Sequence, residues 1–595
     1  MMTPTEKPPC WGRPSSSPTR HAQHVADAVP RPSYKRRLVW AILIAVVVVL
    51  AALSVAFAAF YRAGRFPKSS AIQDNLQAHN AADTIASAKT TIIAPSSTTS
   101  LALPQNASIV LSTATAKTYT ANLAAASDNL VNGSDWLGFG TSLSWWAQWM
   151  GNHFYGTADF TNLMDAFFDV NTGLGLSVAR FNLGATVNPP STYSPYVIMP
   201  AAKNSSNAPF DFDVDKGQRY VLLEAIKRGV STTELFINSP PEWMTISGVS
   251  CGNYGHGNNL NASKYQDYAN YVVDTLLYYN NTVGVEFGSV TVFSEPTSNW
   301  WGPPDWCNQE GFHQDIGTLA PILRTLSHTI QSAGLSTIIA GTDEVSYDVA
   351  QSVLTSMSSS DLSTFQRINI HGYYDPAPSV RKSFATTARS VGKKVWQSEL
   401  GTAGTGMQPV QYGIRQLGAI GLARNIIADV YFIGVTAWCY WQVMDQGDWG
   451  LYYCQYLSPG VCNRSKQYYV MMQFSKWLRP GMDIINVPQN DDPNVLLARS
   501  RSTNRLVVVA INQKSSAATY AINVSLYAVG LNGSSSSNSI VMGVFRTSNN
   551  ENHDSVVSDT SNFGYGTNGV VYLGNCPGNS VTTLVLDGLT WQAGV

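Results

Sequence analysis

The stretch VTVFSEP at residues 290–296 joins a short β-prone apolar run to a glutamate and a chain-breaking proline. A second stretch, KVWQSELG at residues 394–401, repeats this arrangement with Glu399 just before a glycine. A carboxylate at the end of a buried strand, next to a turn, can face a pocket without being enclosed in the core. Glu295 and Glu399 therefore mark the ends of two predicted strands and are candidate catalytic residues.

Similar apolar runs recur on both sides of these two stretches. The pattern predicts strands at residues 137–142, 176–182, 234–238, 287–293, 337–341, 367–371, 394–399 and 435–441. Helical patterns lie between them, for example at residues 264–279, 315–333 and 407–429. Eight strands alternating with helices predict an α/β fold, a (β/α)8 TIM barrel over residues 131–482. An open doubly wound sheet is the alternative, but no Gly-x-Gly-x-x-Gly fingerprint supports a dinucleotide-binding version.

A barrel of this kind collects the residues at the carboxyl ends of its strands around one mouth. Those ends carry carboxylates, an arginine, a histidine and many indoles, without metal-ligand spacing or a Gly-x-Ser-x-Gly elbow. Trp243 and Trp301 belong to this set, and we expect at least one indole of the 300–301 pair to face a substrate groove. We predict substrate contacts for Trp145, Trp146, Arg180, Asn182, Ser294, Trp300, His371, Tyr373, Trp438 and Trp441.

Two carboxylates on one sheet are what acid-assisted cleavage of a sugar–sugar bond requires. In a retaining reaction one carboxylic acid protonates the leaving oxygen and later activates water, while the other attacks the anomeric carbon. The attacking group must be ionised, and Arg180 on the second strand could supply hydrogen bonds and positive charge. The proton donor must keep its proton near neutral pH, which apolar surroundings favour. The apolar side chains nearest to Glu295 in the sequence are Phe293, Trp300 and Trp301. His371 is either a hydroxyl donor or a satisfied strand-end histidine.

The composition excludes some partners and favours others. The 595 residues exceed one ordinary domain, and a net charge of -1 lacks the basic footprint of a nucleic-acid-binding protein. Only 13% of residues are charged, whereas aromatic residues reach 11% and include 16 Trp. A surface rich in indoles and neutral polar groups suits stacking on sugar rings, although most of these aromatics belong to the core.

The seven cysteines do not form a C-x-x-C pair, which disfavours a zinc or redox site. Cys454 and Cys462 flank a short loop and could be bridged. Cys251 and Cys307 lie in Gly/Asn/Trp-rich loops and could join them, while Cys439 is predicted to be a buried free thiol. An oxidising secretory environment agrees with eight N-x-Ser/Thr sequons, at Asn106, Asn132, Asn204, Asn261, Asn280, Asn463, Asn523 and Asn532.

The N-terminal region predicts a membrane anchor. Residues 38–61 contain no charged side chain and are long enough to cross a bilayer as a helix. The basic tail at 1–37 places that side in the cytoplasm, so we predict a single-pass type II membrane protein with an extracellular or lumenal body. A cleaved signal peptide, with a secreted or shed body, is the alternative. Residues 62–130 read as a Ser/Thr/Ala-rich linker, part of which could add strands to a β-domain.

Six short motifs stand at the predicted strand ends or beyond the last strand. They are GFG with SWWA at 138–147, LSVARFN at 176–182, NSPPEWM at 238–244, FSEP at 293–296, QSE at 397–399 and FSKWLRPG at 474–481. Together they resemble the motifs of fungal endo-β-1,6-galactanases in glycoside hydrolase family 30. The resemblance extends over about residues 131–595.

The resemblance implies a retaining hydrolase of β-linked glycans, with Glu295 as acid/base and Glu399 as nucleophile. It also implies a β-sandwich-like side domain at 483–595, in agreement with β-prone runs such as 505–511 and 581–586. Ser294 stands where related enzymes usually carry an Asn that contacts the sugar 2-hydroxyl. This shorter side chain would need a water or another residue to make that contact.

The sequence therefore predicts a monomeric, membrane-tethered glycosidase that needs no cofactor and acts on a glycan, with β-1,6-galactan as the leading substrate. A β-1,6-glucanase, xylanase or glucosylceramidase activity is an alternative within the same family. A cell-surface glycan-binding protein with weakened catalysis is an alternative from another class, motivated by Ser294. The presence of both carboxylates argues against it, because a binding protein has no chemical need for them.

Overall fold

The chain enters the described structure through two short strands, β1 (Lys117–Thr120) and β2 (Asn129–Val131), which precede a closed barrel in this computed structural model. The predicted anchor at 38–61 lies outside the residues that the structure describes. Among the described residues, no helix is long and apolar enough to cross a membrane. The structure describes residues 117–120, 129–303, 306–401, 403, 406–407, 418–446, 449–455, 458–525, 541–556, 563–565, 569–589 and 591.

Eight parallel strands close the barrel, and each pairs with the next one along the chain until the last pairs with the first. The predicted (β/α)8 barrel is therefore confirmed, and each predicted strand overlaps an observed one. The barrel strands are β3 (Phe139–Ser142), β4 (Val178–Asn182), β5 (Thr232–Phe236), β6 (Ser289–Thr291), β7 (Ile338–Glu344), β8 (Arg367–His371), β9 (Lys394–Leu400) and β10 (Ala437–Tyr440).

The helices cover the outside of the barrel because their apolar faces pack on the outward-facing side chains of the strands. Their starts follow ordinary capping chemistry, for example where the Thr157 side chain accepts a hydrogen bond from the backbone of Phe160. The helices are α1 (Ser144–Phe154), α2 (Ala158–Phe168), α3 (Lys216–Lys227), α4 (Tyr265–Tyr278), α5 (Ile316–Ser332), α6 (Tyr347–Ser356), α7 (Ser359–Leu362), α8 (Pro378–Ser390), α9 (Gly418–Ala428) and α10 (Lys466–Ser475).

The barrel interior contains an ionic network instead of apolar layers alone. Glu234 lies at its centre, where it accepts hydrogen bonds from Arg180 at 2.9 Å and from Asn369 at 2.9 Å and pairs with Arg367. The Arg367 guanidinium lies over the Trp396 ring at 3.4 Å. Every charge in this buried layer has a partner of opposite sign, as a low-dielectric interior requires.

A small sheet follows the barrel's last strand and consists of β11 (Met444–Asp445), β12 (Tyr452–Gln455) and β13 (Ser458–Arg464). The disulfide Cys454–Cys462 crosses its hairpin, and Cys251–Cys307 joins the loops after β5 and β6. Both pairings suggested by the sequence are present. Cys439 is a buried free thiol, as predicted.

The side domain is a sandwich of a seven-stranded sheet, in the order β19-β18-β22-β16-β15-β14-β2, and a four-stranded sheet, in the order β1-β17-β21-β20. Its strands are β14 (Asp483–Ile485), β15 (Val495–Ser500), β16 (Arg505–Asn512), β17 (Ala518–Asn523), β18 (Val541–Thr547), β19 (Asn552–Ser555), β20 (Phe563–Tyr565), β21 (Val570–Cys576) and β22 (Ser580–Asp587).

Strand β16 shows why the larger sheet is buried on both faces. Val507 and Val509 belong to the core shared with the barrel, whereas Leu506 and Val508 belong to the core between the two sheets. Successive side chains of a strand point to opposite faces, so a continuous apolar run fills two cores at once. Strands β1 and β2 come from the segment between the predicted anchor and the barrel, and each pairs with a strand of this domain.

Candidate active site

Glu295 and Glu399 meet at the carboxyl ends of the barrel strands. A carboxylate oxygen of each, together with a ring nitrogen of His371, lies within 4.8 Å of the other two. Both residues are largely buried, with 9% and 7% of their surfaces exposed. The two glutamates singled out by the sequence therefore share one site, although they are 104 positions apart in the chain.

Two bulges and two left-handed residues aim these side chains. Strand β7 carries the extra residue Asp343 against β8, and strand β9 carries the extra residue Ser398 against the same neighbour. A bulge interrupts the alternation of a strand, so both Ser398 and Glu399 can reach the barrel mouth. Glu295 and Asp343 have φ values of +52° and +59°, which non-glycine residues rarely adopt. A residue keeps such an unfavourable backbone conformation only where contacts with the surrounding structure hold it in place.

His371 lies between the two glutamates. Its Nδ1 is 3.0 Å from Oε1 of Glu295 and 3.5 Å from Oε1 of Glu399, and its Nε2 faces Oδ1 of Asp343 at 3.4 Å. Burial opposes a charge on this ring, but the carboxylates of Glu399 and Asp343 raise the pKa of His371 well above its usual value. His371 is therefore an imidazolium at neutral pH, and its charge faces both glutamates.

Asp343 connects four strands of the site. Its side chain accepts a hydrogen bond from Arg180 Nη2 at 2.5 Å and another from the Ser398 hydroxyl. Its backbone oxygen accepts from the backbone N–H of Glu295 at 2.8 Å. Burial alone would raise the pKa of Asp343, but Arg180 and His371 lower it below its usual range. Asp343 therefore stays ionised and fixes the backbone beside both glutamates.

Arg180 contacts Glu399, but its charge is already shared. Its Nη1 is 3.5 Å from Oε2 of Glu399, whereas Glu234 and Asp343 lie at 2.9 and 2.5 Å. Burial raises the pKa of Glu399 to about 7, an effect that His371 and Arg180 oppose and the charges of Glu295 and Asp343 reinforce. Arg180 therefore supplies the hydrogen bond and the positive charge expected of it, although burial has the larger effect on the pKa of Glu399.

Three predicted site residues contact a glutamate or lie at the strand ends beside it. Tyr373 donates its hydroxyl hydrogen to Oε1 of Glu399 at 2.9 Å. Burial and the charges of Glu399 and Glu295 raise the pKa of Tyr373 well above its usual value, so it remains a donor. Trp441 follows β10 and packs edge to face against Trp145, with ring centroids 5.2 Å apart.

Two other predicted contact residues, Ser294 and Asn182, are buried. Ser294 is buried directly before Glu295, and Asn182 is fully buried with its side chain bonded to the backbone of Phe236 and to Ser144. Asn182 supports the strand ends and does not border the glutamates through any of its hydrogen bonds.

The predictions for Trp146 and Trp438 are wrong. Trp146 is fully buried among the helices, where its ring packs edge to face on Phe167 and its indole donates to the backbone of Ser142. Trp438 is fully buried and donates its indole hydrogen to Asp429 at 3.0 Å. Its strand neighbours Ala437 and Cys439 face the barrel interior, so alternation turns Trp438 to the outside.

The two adjacent indoles at 300–301 differ in burial. Trp301 is buried, and its indole N–H donates to the backbone oxygen of Glu295 at 3.1 Å. Trp300 is partly exposed and lies against Trp301, with ring centroids 6.1 Å apart. Trp243 is partly exposed and donates to the backbone of Lys203, away from the glutamates.

Sequence reasoning missed several residues of the site. Asp343 and Glu344 follow the predicted fifth strand just as Glu295 and Glu399 follow theirs, so the same pattern could have identified them. Glu344 is fully buried, accepts a hydrogen bond from the Thr297 hydroxyl at 2.8 Å, and has its pKa raised to about 8 by burial. Trp449 also approaches the site, with its ring against Gly401. No strand pattern marks that loop residue.

Glu295, His371 and Glu399 together present three potential metal-ligand atoms. Metal binding would require a neutral His371, and the carboxylates of Glu399 and Asp343 raise the pKa of this ring. Its Nδ1 already faces both glutamates. The arrangement therefore suits proton transfer and attack by a carboxylate better than it suits metal binding.

Comparison with known proteins places this geometry among glycoside hydrolases. Residues 135–453 match the family described as O-Glycosyl hydrolase family 30. An endo-beta-1,6-galactanase from Hypocrea rufa is 31% identical over 409 residues, which cover 65% of this chain and 80% of that protein.

Solved structures share the fold at low sequence identity. A conserved exported protein from Bacteroides fragilis superposes with a TM-score of 0.64 at 18% identity, covering 79% of this chain and 100% of that one. The catalytic domain of GH30 xylanase C from Talaromyces cellulolyticus superposes with a TM-score of 0.57 at 20% identity, with the same coverage of 79% and 100%. These similarities support the barrel together with its side domain.

Proposed function

Because the chain belongs to O-glycosyl hydrolase family 30 and is a glycoside hydrolase acting on β-glycans, we propose that it cleaves β-1,6-galactan by double displacement with retention of configuration. The observation that carries the mechanism is the approach of the Glu295 and Glu399 carboxylates to within 4.8 Å. Retaining enzymes place their carboxyl groups about 5 Å apart, whereas inverting enzymes leave about 6.5–9.5 Å for a water molecule. The proposal of a galactan rests on the 31% identical relative.

In the first step an oxygen of Glu399 attacks the anomeric carbon while Glu295 protonates the departing glycosidic oxygen. In the second step Glu295 takes a proton from water, and that water breaks the bond between the sugar and Glu399. Tyr373 and Arg180 hold the two oxygens of Glu399 through contacts of 2.9 and 3.5 Å. The loss of negative charge from Glu399 on sugar attachment favours the ionised form of Glu295, which has given its proton to the leaving oxygen and now acts as the base.

The proposed mechanism needs one proton on this pair of carboxyl groups. Burial raises the pKa of Glu399 to about 7, and the charge of Glu295 adds to this rise. The reactive form holds one proton on Glu295 and none on Glu399, and the imidazolium of His371 stabilises the ionised member.

A substrate panel tests the proposed function. Soluble protein beginning near residue 117 and ending at residue 595 should hydrolyse β-1,6-galactan faster than β-1,6-glucan, xylan or glucosylceramide, with activity unchanged in a chelator. Proton NMR of the first product should show the β-anomer before mutarotation. Faster turnover of another glycan would overturn the galactan assignment alone, and an α-anomer would overturn the double displacement. Glycan binding without any turnover would overturn both and favour a binding protein.

Replacement of Asp343 by Asn should move the pH profile of kcat/KM toward lower pH. A negative charge stabilises the protonated form of each neighbour, so its removal lowers the pKa values of His371 and Glu399 together. Wild-type activity should rise as pH rises through about 7, where Glu399 loses the proton that blocks its attack, and the variant should become active at lower pH. We also expect kcat to fall by about tenfold to a hundredfold, as supporting residues of reactive sites commonly show.

Ser398→Ala provides the control for this electrostatic effect. It removes the hydroxyl that donates to Asp343 but leaves every charge in place. The acid limb of its profile should therefore stay at the wild-type pH. An identical profile for Asp343→Asn and wild type would show that Asp343 acts only as a structural link.

We propose further that the enzyme works as a monomer outside the cytoplasm, tethered by residues 38–61. The two disulfides support an oxidising compartment. Five sequons within the described residues have an exposed asparagine, as glycosylation requires, at Asn132, Asn204, Asn261, Asn280 and Asn463. Fractionation of cells that express the full chain, with glycosidase digestion of the membrane fraction, tests this placement.

A further inference from the structure

Large apolar side chains that are exposed cluster in two loops beside Glu295. Five such side chains occur among the described residues, and three of them lie in the loops after β5 and β6: Ile246 at 55% exposure, Tyr254 at 64% and Trp306 at 37%. Exposed apolar groups scattered singly need no explanation, whereas a cluster beside a catalytic site marks a binding surface. We call Tyr254 and Trp306 the aromatic platform.

The two loops that carry the platform are joined by covalent and backbone contacts. The disulfide Cys251–Cys307 links them, and its second cysteine directly follows Trp306. Gly252 and Gly302 have φ values of +105° and +144°, and a Cβ at Gly302 would lie 2.0 Å from the backbone oxygen of Asn253. The backbones therefore touch, and the platform is held in place before any ligand arrives.

Trp301 connects the platform to the proton donor. Its indole N–H donates to the backbone oxygen of Glu295 at 3.1 Å, and its ring packs edge to face against Trp306 with centroids 6.5 Å apart. Its backbone oxygen is 3.3 Å from Nδ1 of His256, in the turn that also carries Tyr254. Trp301 therefore links the ring of Trp306 and the turn of Tyr254 to the backbone of Glu295.

The chemistry of the reaction decides which part of a substrate lies there. The acid/base group protonates the oxygen of the leaving sugar, so the leaving part of the chain lies on the side of Glu295. Residues 245–257 contain no Asp, Glu, Lys or Arg, which suits an uncharged ligand. Aromatic faces with polar edges bind sugar rings by stacking and hydrogen bonding.

We propose that the aromatic platform binds the sugar units on the leaving-group side of a neutral β-glycan chain, and that it makes the enzyme prefer polymers to short substrates. This inference rests on the proposed function, because it takes Glu295 as the acid/base. It adds a binding site for at least two further sugar units, one for each exposed ring.

The test compares two substrates that differ only on the leaving-group side. One is the polymer that the substrate panel identifies, and the other is the nitrophenyl glycoside of the same sugar, which offers no sugar to the platform. Trp306→Ala and Tyr254→Ala should each lower the ratio of kcat/KM for the polymer to kcat/KM for the glycoside by about tenfold, the loss typical of an anchoring aromatic. The expected change lies mainly in KM for the polymer.

Tyr155→Ala is the matched control. Tyr155 is 37% exposed, the same fraction as Trp306, but it follows α1 and stacks on Tyr220 of α3. This variant should leave both kcat/KM values at the wild-type level. A ratio unchanged in both platform variants, with wild-type protein active on the polymer, would overturn the platform and leave the proposed function intact. Wild-type protein inactive on every glycan would instead overturn the proposed function.

Discussion

Replacing Glu399 by Gln should lower kcat on the glycan by on the order of 10⁵-fold, as removal of a nucleophile does in other covalent enzymes. The amide has the shape of the carboxylate but cannot form a glycosyl ester. A 2-fluoro glycoside of the substrate sugar should label wild-type protein with one sugar, as seen by intact-protein mass spectrometry, and should leave the variant unlabelled. Peptide mapping of the labelled protein should place the sugar on Glu399.

The melting temperature serves as the control for this variant. Gln at 399 can still accept the Tyr373 hydrogen bond, and it removes a buried group whose pKa is already raised to about 7. We therefore expect little loss of stability, so a loss of activity would reflect chemistry. Retained activity, or label found on Glu295 instead, would contradict the assigned roles.

The barrel and the meeting of Glu295 with Glu399 could be predicted because their signals are local. Each of the eight strands is an apolar run bounded by breakers, and each of the two glutamates stands between such a run and a breaker. Parallel strands in a barrel then bring distant chain segments to one mouth without further information. No knowledge of side-chain packing was needed for that step.

The direction of individual side chains could not be predicted in the same way. Trp145 and Trp146 are adjacent at the start of α1, about 100° apart around the helix axis, so one lines the mouth and the other enters the core. Trp438 faces outward because β10 starts with Ala437 facing inward, and a register one residue different would reverse this. Composition and spacing do not set that register.

The electrostatic support of the pair depends on irregular backbone. Asp343 reaches Arg180, Ser398 and the backbone of Glu295 because it is the extra residue of a bulge with φ of +59°. Bulges and left-handed residues of this kind are maintained by tertiary contacts, so a strand pattern does not reveal them. The sequence therefore located the reacting groups more readily than the residues that adjust their charges.

Replacement of Glu295 by Gln should separate the acid/base role from every other role at this site. With the natural glycan, whose leaving alkoxide must be protonated, we expect kcat/KM to fall by about 10²–10⁴-fold. With a 2,4-dinitrophenyl glycoside the first step needs no proton, so kcat/KM should change little while the later hydrolysis slows and kcat falls. Stopped-flow measurement should then show a burst of dinitrophenolate, because the sugar accumulates on Glu399.

Glu344→Gln is the matched control, because it alters a second buried carboxyl group of the same region. Glu344 bonds Thr297, two residues after Glu295, and lies close enough for the charge of Glu295 to contribute to its raised pKa. If Glu295 is the proton donor, Glu344→Gln should change the two substrates by the same factor and produce no burst. Selective loss on the glycan in Glu344→Gln, with equal loss on both substrates in Glu295→Gln, would move the acid/base role to Glu344. Nδ1 of His371 lies 3.0 Å from Glu295 and 3.5 Å from Glu399, and this geometry favours Glu295 over Glu344 as the proposed proton donor.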